Sequence, residues 1–267
     1  MGGSVSAAPK DSRSRKPLIG RVPSEGAIVS NIYEVQTEAQ YNGTAKTTVA
    51  GLAQSWDDTS ALGGLAGDVK IVLPGGSTGA AYFGNSITAL GASTQYLNMR
   101  MYVLPSGLTM SNGDQFNMMY CRRASPATFL FFLGLRRTDP GYSLVAYEYH
   151  DSGLFDNHVM AIPDTETYAE ISVQKASTAM SGDGVFTARI NGSIEYQNTS
   201  ASIYTNLETV NQVLFGNIGG LDTTTSGDFI IGKILITDDA NPIGPIVLNT
   251  GRPYDLDQLT DLTTIRM

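Results

Sequence analysis

The sequence predicts an all-β protein, a two-sheet antiparallel β-sandwich preceded by an extended N-terminal arm. Apolar and polar residues alternate strictly from residue 97 to residue 103, as in a strand with one buried face. About a dozen such runs follow at short spacing with turn residues between them, a pattern typical of two packed antiparallel sheets. The 29 glycines and the scarcity of leucine-rich helical runs agree with this class.

The arm and the domain after it carry opposite charges. Residues 1–26 lack any periodicity, so we expect an extended arm that packs on neighbouring subunits. The chain carries a net charge of −8 and the arm +3, which leaves −11 for the remainder. Because the body is acidic, we expect other protein subunits as partners and not nucleic acid. The basic side chains of this assembly arm are Lys10, Arg13, Arg15, Lys16 and Arg21.

The sandwich is expected over residues 27–248, followed by a tail at 249–267 that is either a short helix or a docking segment. The run 128–135 is apolar on both faces, so we expect a central strand that is covered on both sides. The other strands are expected at 27–36, 69–73, 80–83, 95–104, 116–122, 142–149, 213–215, 229–236 and 243–248, with a polar excursion at 37–67 and three strands between 168 and 196.

The hairpin near residue 191 admits two loop lengths. A two-residue loop at Asn191 and Gly192 would leave Ile194 on the solvent face. A three-residue loop from Ile190 to Gly192 would bury Ile194 and place Gly192 in the left-handed conformation. Because the buried face normally sets the register, we expect the three-residue loop.

The hairpin and a later strand carry a family resemblance. Phe229, Gly232, Ile234 and Ile236 partly match the pattern Phe-x-Gly-x-Ile-x-x-Ile, and the strand order before them is consistent with it. Over residues 28–248 the chain resembles the concanavalin A-like lectin/glucanase superfamily, particularly its LamG-like jelly rolls. The resemblance implies a concanavalin A-like jelly roll, a fold found in phage and other viral structural proteins and in secreted carbohydrate-binding proteins.

Two groups of residues are candidates for binding. Asp151, Asp156 and His158 lie in one polar loop and are weak candidates for a calcium or transition-metal site, although a solvated loop is the better interpretation. Trp56 and Asp57 could form a sugar-stacking platform, or the indole could plug a small core. Tyr147 and Tyr149 share a strand face that suits either a glycan or a subunit interface.

Catalytic signatures are missing from the sequence. Laminarinase-type relatives carry a Glu-x-Asp-x-x-Glu-like run, which the chain lacks; Glu148 and Glu170 are isolated carboxylates. There is no phosphate loop, nucleophile elbow or zinc spacing, and Cys121 is expected to be a small buried thiol. We therefore expect a protein that is not an enzyme and that has no cofactor.

These observations favour a non-enzymatic virion structural protein, a phage capsid decoration, tail or fibre component that forms homo-oligomers. No signal peptide or membrane span is expected, because no apolar run is long enough. A glycan-binding, lectin-like module that faces a receptor on a virion is the alternative. A degenerate glycosidase that uses Glu148 or Glu170 is a third hypothesis.

Overall fold

The computed structural model describes residues 31–49, 51–153, 155–179 and 181–246. The predicted basic arm at 1–26 and the predicted tail at 249–267 lie outside these residues. No helix within the described residues is long and apolar enough to cross a membrane.

Sixteen strands and two short helices follow one another along the described chain. They are β1 (Asn31–Val35), α1 (Glu38–Asn42), β2 (Ala45–Thr48), β3 (Ala53–Asp57), β4 (Asp68–Leu73), β5 (Ala81–Ser86), β6 (Tyr96–Leu104), β7 (Leu108–Thr109), β8 (Gln115–Arg123), β9 (Thr128–Thr138), β10 (Gly141–Tyr149), β11 (Phe155–Ile162), β12 (Thr167–Gln174), β13 (Gly184–Ile190), β14 (Ser193–Ala201), α2 (Thr205–Glu208), β15 (Gln212–Gly219) and β16 (Ser226–Thr237). The polar excursion therefore contains α1, β2 and β3, and a 3-10 turn at Leu62–Gly64 follows them.

The predicted two-sheet antiparallel sandwich is confirmed. One sheet has nine strands, in the order β14-β13-β12-β6-β16-β4-β3, with β1 and β7 also paired to β16. The other has seven, in the order β11-β10-β9-β8-β15-β5-β2. The inward rows of both sheets form one continuous core that includes Phe131, Phe186 and Phe229, and the Cys121 thiol is buried in it as expected.

The predicted three-residue hairpin is wrong. Ile190 pairs directly with Ser193, so the loop is Asn191-Gly192, and both residues have positive φ, 49° and 87°. Such a two-residue turn matches the right-handed twist of the strands. A bulge next to Ala188 then restores the register, so that Tyr196 returns to the inner face while Ile194 is 56% exposed. The bulge removes the register conflict on which the prediction depended.

The outer face of the nine-stranded sheet is covered by the segment 239–246, which we call the C-terminal strap. Glu170 accepts hydrogen bonds from the amides of Ile243 (2.8 Å) and Gly244 (3.0 Å). Arg100 donates to the Gly244 carbonyl at 3.2 Å, and the Tyr102 hydroxyl accepts from the Ile246 amide at 2.9 Å. The strap therefore buries two charged side chains that simple strand alternation would place in solvent.

A buried ion pair joins β16 to the start of β4. Lys233 Nζ lies 3.2 Å from Asp68 Oδ1 with both side chains fully buried, and it also donates to the carbonyls of Ala66 and Gly67. The second oxygen of Asp68 accepts from Ser60 and from the Leu62 amide. Burial raises the pKa of Asp68 in spite of the facing ammonium group.

Removing one partner of this pair should destabilise the domain strongly, because the other charge would stay buried and unpaired. We expect Asp68→Ala to lower the free energy of unfolding by about 3–5 kcal/mol, as measured by urea denaturation.

Lys70→Ala is the matched control, since Lys70 and Asp228 form an ion pair at 3.0 Å with both side chains about one-third exposed. Its loss should cost less than about 1 kcal/mol. Equal losses in the two variants would contradict a structural role for the buried pair.

Candidate functional site

Six aromatic side chains cover the outer face of the seven-stranded sheet. They project from four adjacent strands, β8 to β11, on the side opposite the core. Five of the rings are half-buried against one another, and the sixth, Phe155, is 50% exposed. We call this surface the aromatic face; its members are Tyr120, Phe129, Phe132, Tyr147, Tyr149 and Phe155.

The rings form one contiguous layer. Phe132 stacks on Tyr147 with 4.1 Å between ring centroids, and Tyr149 stacks on Phe155 at 5.3 Å. Phe129 meets Tyr149 at 5.3 Å and Tyr120 at 5.0 Å. Because each ring is held by neighbours on adjacent strands, the surface is ordered without a ligand.

Polar side chains fix the phenol groups of this layer. Gln115 donates to the Tyr147 hydroxyl at 3.0 Å, and Asn117 donates to the Tyr120 hydroxyl at 2.9 Å. Burial raises the pKa of Tyr120 and of Tyr149, so both phenols stay protonated at neutral pH. The aromatic face therefore combines apolar rings with oriented hydroxyl groups.

The prediction that the run 128–135 is covered on both sides is wrong. Leu130, Phe131 and Leu133 enter the core, but Phe129 and Phe132 point outward into the aromatic face. A second apolar row on a strand is therefore part of a half-buried aromatic surface here, and not the sign of a second covering layer. This row was the available signal for two of the four aromatic residues that the sequence prediction missed, Phe129 and Phe132.

The predicted glycan-binding residues do not come together. Tyr147 and Tyr149 belong to the aromatic face, whereas Trp56 and Asp57 lie on β3, at the opposite edge of the sandwich. The Trp56 indole donates to Asp58 at 2.7 Å and packs so closely on Gly67 that a Cβ there would lie 2.4 Å from the ring. Of the two interpretations of Trp56, the structure therefore favours the one in which the indole fills a small core.

Asp57 also has a local structural role. Its carboxylate accepts hydrogen bonds from the amide and the hydroxyl of Thr59, at 2.9 and 2.5 Å. These bonds lower the pKa of Asp57. The side chain therefore organises the turn after β3.

The predicted metal candidates are also separated. Asp151 accepts three amide hydrogen bonds at the start of α2, from Tyr204, Thr205 and Asn206. His158 stacks on Tyr196 instead of turning toward Asp151. Within the described ranges no three His, Cys, Asp or Glu side chains are placed to hold a metal ion.

Glu148 lies near the edge of the sandwich that is formed by β11 of one sheet and β14 of the other. Its side chain is fully buried, and one oxygen accepts a hydrogen bond from Asn198 of the opposite sheet at 2.9 Å. The other oxygen has no hydrogen-bond partner among the described residues. Burial raises the pKa of Glu148 from 4.5 to about 7, although His150 lies 3.7 Å away.

His150 links this glutamate to the surface. The Ser202 amide donates to Nδ1 at 3.2 Å, so neutral His150 carries its proton on Nε2, which faces Asp156 at 3.1 Å. Burial lowers the pKa of nearby His158, which is therefore neutral at physiological pH. Neither Glu148 nor Glu170 is open to a sugar, because one lies between the sheets and the other beneath the C-terminal strap.

No protein-family model matches the sequence, and no curated protein matches it. Solved structures share the fold. An endo-β-1,4-glucuronan lyase from Trichoderma reesei aligns with a TM-score of 0.57 at 9% identity, over 78% of this chain and 95% of that chain. A carbohydrate esterase from the Shiga toxin-encoding bacteriophage phi24B aligns with a TM-score of 0.51 at 12% identity, over 78% and 98%.

The binding domain of botulinum neurotoxin serotype G gives a TM-score of 0.51 at 10% identity, over 87% of this chain. The match spans half the length of that chain, 50%. At such low identities the likeness shows the fold alone, a β-sandwich consistent with the jelly-roll class.

These comparisons correct the prediction that the chain is not an enzyme. That prediction depended on a missing run of carboxylates, but a lyase and an esterase are built on the same fold. The absence of one glycosidase signature therefore does not exclude catalysis by this chain.

The raised pKa of Glu148 makes stability depend on pH. The folded state binds a proton that the unfolded state releases between pH 4.5 and about 7, so the free energy of unfolding should fall as pH rises through this window. Glu148→Gln should flatten that fall and leave the variant more stable than the wild type at pH 8, by up to about 3 kcal/mol.

Urea denaturation at several pH values measures this effect. Glu195→Gln, which alters an exposed carboxylate on β14, should keep the wild-type slope. A wild-type slope in Glu148→Gln would show that the buried carboxylate does not titrate in this window.

Proposed function

We propose that this chain binds carbohydrate through the aromatic face. The observation that carries the proposal is a contiguous layer of six outward-pointing rings on a rigid sheet. These rings do not contribute to the hydrophobic core, since they lie on the opposite side of the sheet. An apolar surface of this kind, bordered by polar groups, marks a site of interaction.

The chemistry of the layer suits a sugar chain. Aromatic rings pack against the apolar faces of pyranose rings, while oriented phenol and amide groups pair with sugar hydroxyls. Gln115 and Asn117 already position two phenols, so little conformational entropy is lost on binding. The flat, extended layer favours a polysaccharide over a small molecule.

Truncation of the rings should weaken binding without unfolding the domain. We expect Tyr147→Ala and Phe155→Ala each to lower the affinity for a polysaccharide found by glycan-array screening at least about tenfold, because each removes a stacking surface. Isothermal titration measures the affinity, and a thermal melt confirms that each variant is folded.

Tyr96→Ala is the matched control, because Tyr96 is a half-buried tyrosine on the outer face of the other sheet. It should bind like the wild type. Undiminished binding by both aromatic-face variants would refute this site, and the absence of binding to any glycan would refute the function.

The second candidate function is that of a phage particle subunit that assembles with copies of itself. Val159 on β11 and Ile194 on β14 are 54% and 56% exposed, and these edge strands lie on the same side of the sandwich. Exposed apolar residues on edge strands favour contact with another chain. The basic arm at 1–26 supports the same proposal, since it can lie on the acidic body of a neighbour.

This proposal predicts self-association of the full chain through its edge strands. The double variant Val159→Asp/Ile194→Asp should shift the mass measured by light scattering toward that of a monomer, because charges would replace the apolar contact. Val49→Asp is the control at another exposed apolar position, 47% exposed, and should leave the mass unchanged. A monomeric wild type at every concentration would refute self-assembly.

A further inference from the structure

We infer that the ligand of the aromatic face is an anionic polysaccharide, recognised by two arginines at opposite ends of the ring layer. This inference rests on the proposed carbohydrate binding and specifies its substrate class. Its elements are the charges on the face, the geometry of Arg122, the environment of Arg136, and the acidity of the rest of the chain.

The charged side chains that point outward from β8 to β11 are all basic. Arg122 projects on the aromatic face because it pairs with Phe129, and Arg136 does so because it pairs with Gln115. The two carboxylates of these strands, Glu148 and Asp156, pair with each other on the opposite, inward side. No acidic side chain of β8 to β11 therefore lies among the rings.

The Arg122 guanidinium lies close to two rings of the layer. Its central carbon lies 5.3 Å from the Tyr120 ring centroid and 5.8 Å from that of Phe129. Its Nε donates to Gln212 at 2.8 Å, and no described residue accepts a hydrogen bond from its two terminal NH2 groups. A fixed planar fork of this kind is suited to a carboxylate or sulfate group.

Arg136 carries a charge that no described residue neutralises. It lies between Gln115 on β8 and Ser143 on β10, is half-buried, and has no ion pair within the described ranges. Two acidic side chains near this position have other partners: Asp139, three residues after Arg136, pairs with Arg137 at 3.4 Å, and Asp114, next to Gln115, accepts from the Ser111 amide at 2.8 Å.

The two arginines lie far enough apart to contact different sugar units of one chain. Seven residues of β9 separate Phe129, opposite Arg122, from Arg136, which corresponds to roughly 20 Å. The rings extend from the level of Arg122 to Tyr147, whose hydroxyl is bonded by Gln115, the strand partner of Arg136. A polymer with repeated negative charges therefore reaches both guanidinium groups while its sugar rings stack on the layer.

The rest of the chain makes this arrangement selective. The protein carries a net charge of −8, so most of its surface repels a polyanion. Within the described sandwich, an anionic chain would therefore be directed to the outer face of β8 to β11, where the charges are basic. A neutral polysaccharide would gain the stacking contacts alone.

Matched polysaccharides test the inference on the full chain. Polygalacturonate and its fully methyl-esterified form share a backbone and differ in charge, as do dextran sulfate and dextran. We expect the anionic member of at least one pair to bind at least tenfold more tightly in low salt. The preference should shrink as NaCl rises to about 0.5 M, where charges are screened within a few ångström.

Variants test whether the two arginines produce the preference for the anionic polysaccharide. Arg122→Gln and Arg136→Gln should each reduce it, and the double variant should bind both members of the pair equally. Arg189→Gln, a half-exposed arginine on the outer face of the other sheet, should keep the wild-type preference. Tyr147→Ala should weaken both members alike.

The failures of the two proposals are distinguishable. Equal binding of charged and neutral members by the wild type would overturn the anionic class and leave carbohydrate binding intact. Anion binding that ignores the Tyr147→Ala change would place the anion elsewhere and overturn the inference. No binding of any polysaccharide would overturn both proposals.

Discussion

Two sheets enclose one core, and each strand gives that core only every second side chain. This constraint governs the rest of the structure. The inward rows of both sheets are filled by apolar residues that form a single cluster. Whatever stands in the outward rows must be explained by solvent, by another segment of the chain, or by a ligand.

The two sheets meet this constraint differently. On the nine-stranded sheet the outward row is polar, and the C-terminal strap bonds to Arg100, Tyr102 and Glu170. On the seven-stranded sheet the outward row is aromatic, with no described segment across it. Burial of polar groups by the chain itself accounts for the first face. For the second face we propose an external ligand.

Alternation was sufficient to predict the fold class and most of the strands, since it is a local property of the chain. It missed β2, β3 and β11, and it predicted a strand at 243–248 whose described part, 243–246, is not a strand. It was not sufficient for the hairpin, because the bulge at Ala188 that restores the register leaves no mark on the apolar pattern. Nor did it reveal the buried charges of Glu170 and Lys233. Their partners, the strap amides and Asp68, are distant in sequence and are brought close only by the fold.

The candidate site was predicted in part for the same reason. Tyr147 and Tyr149 were found because they alternate on one strand, but their ring partners come from two other strands, β9 and β11. Trp56 was a candidate for sugar stacking because of its residue type, yet its position on β3 separates it from that layer. Residue type identifies candidates, and strand order decides which of them are neighbours.

Both ends of the described chain belong to the same side of the sandwich. Asn31 opens β1 beside β16, and Ile246 closes the strap over Tyr102, so each lies at the nine-stranded sheet. The aromatic face is on the far side, separated by the thickness of both sheets. A domain held at Asn31 and Ile246 would therefore turn these rings away from the points of attachment. The placement of the two sheets therefore determines which face points away from such an attachment.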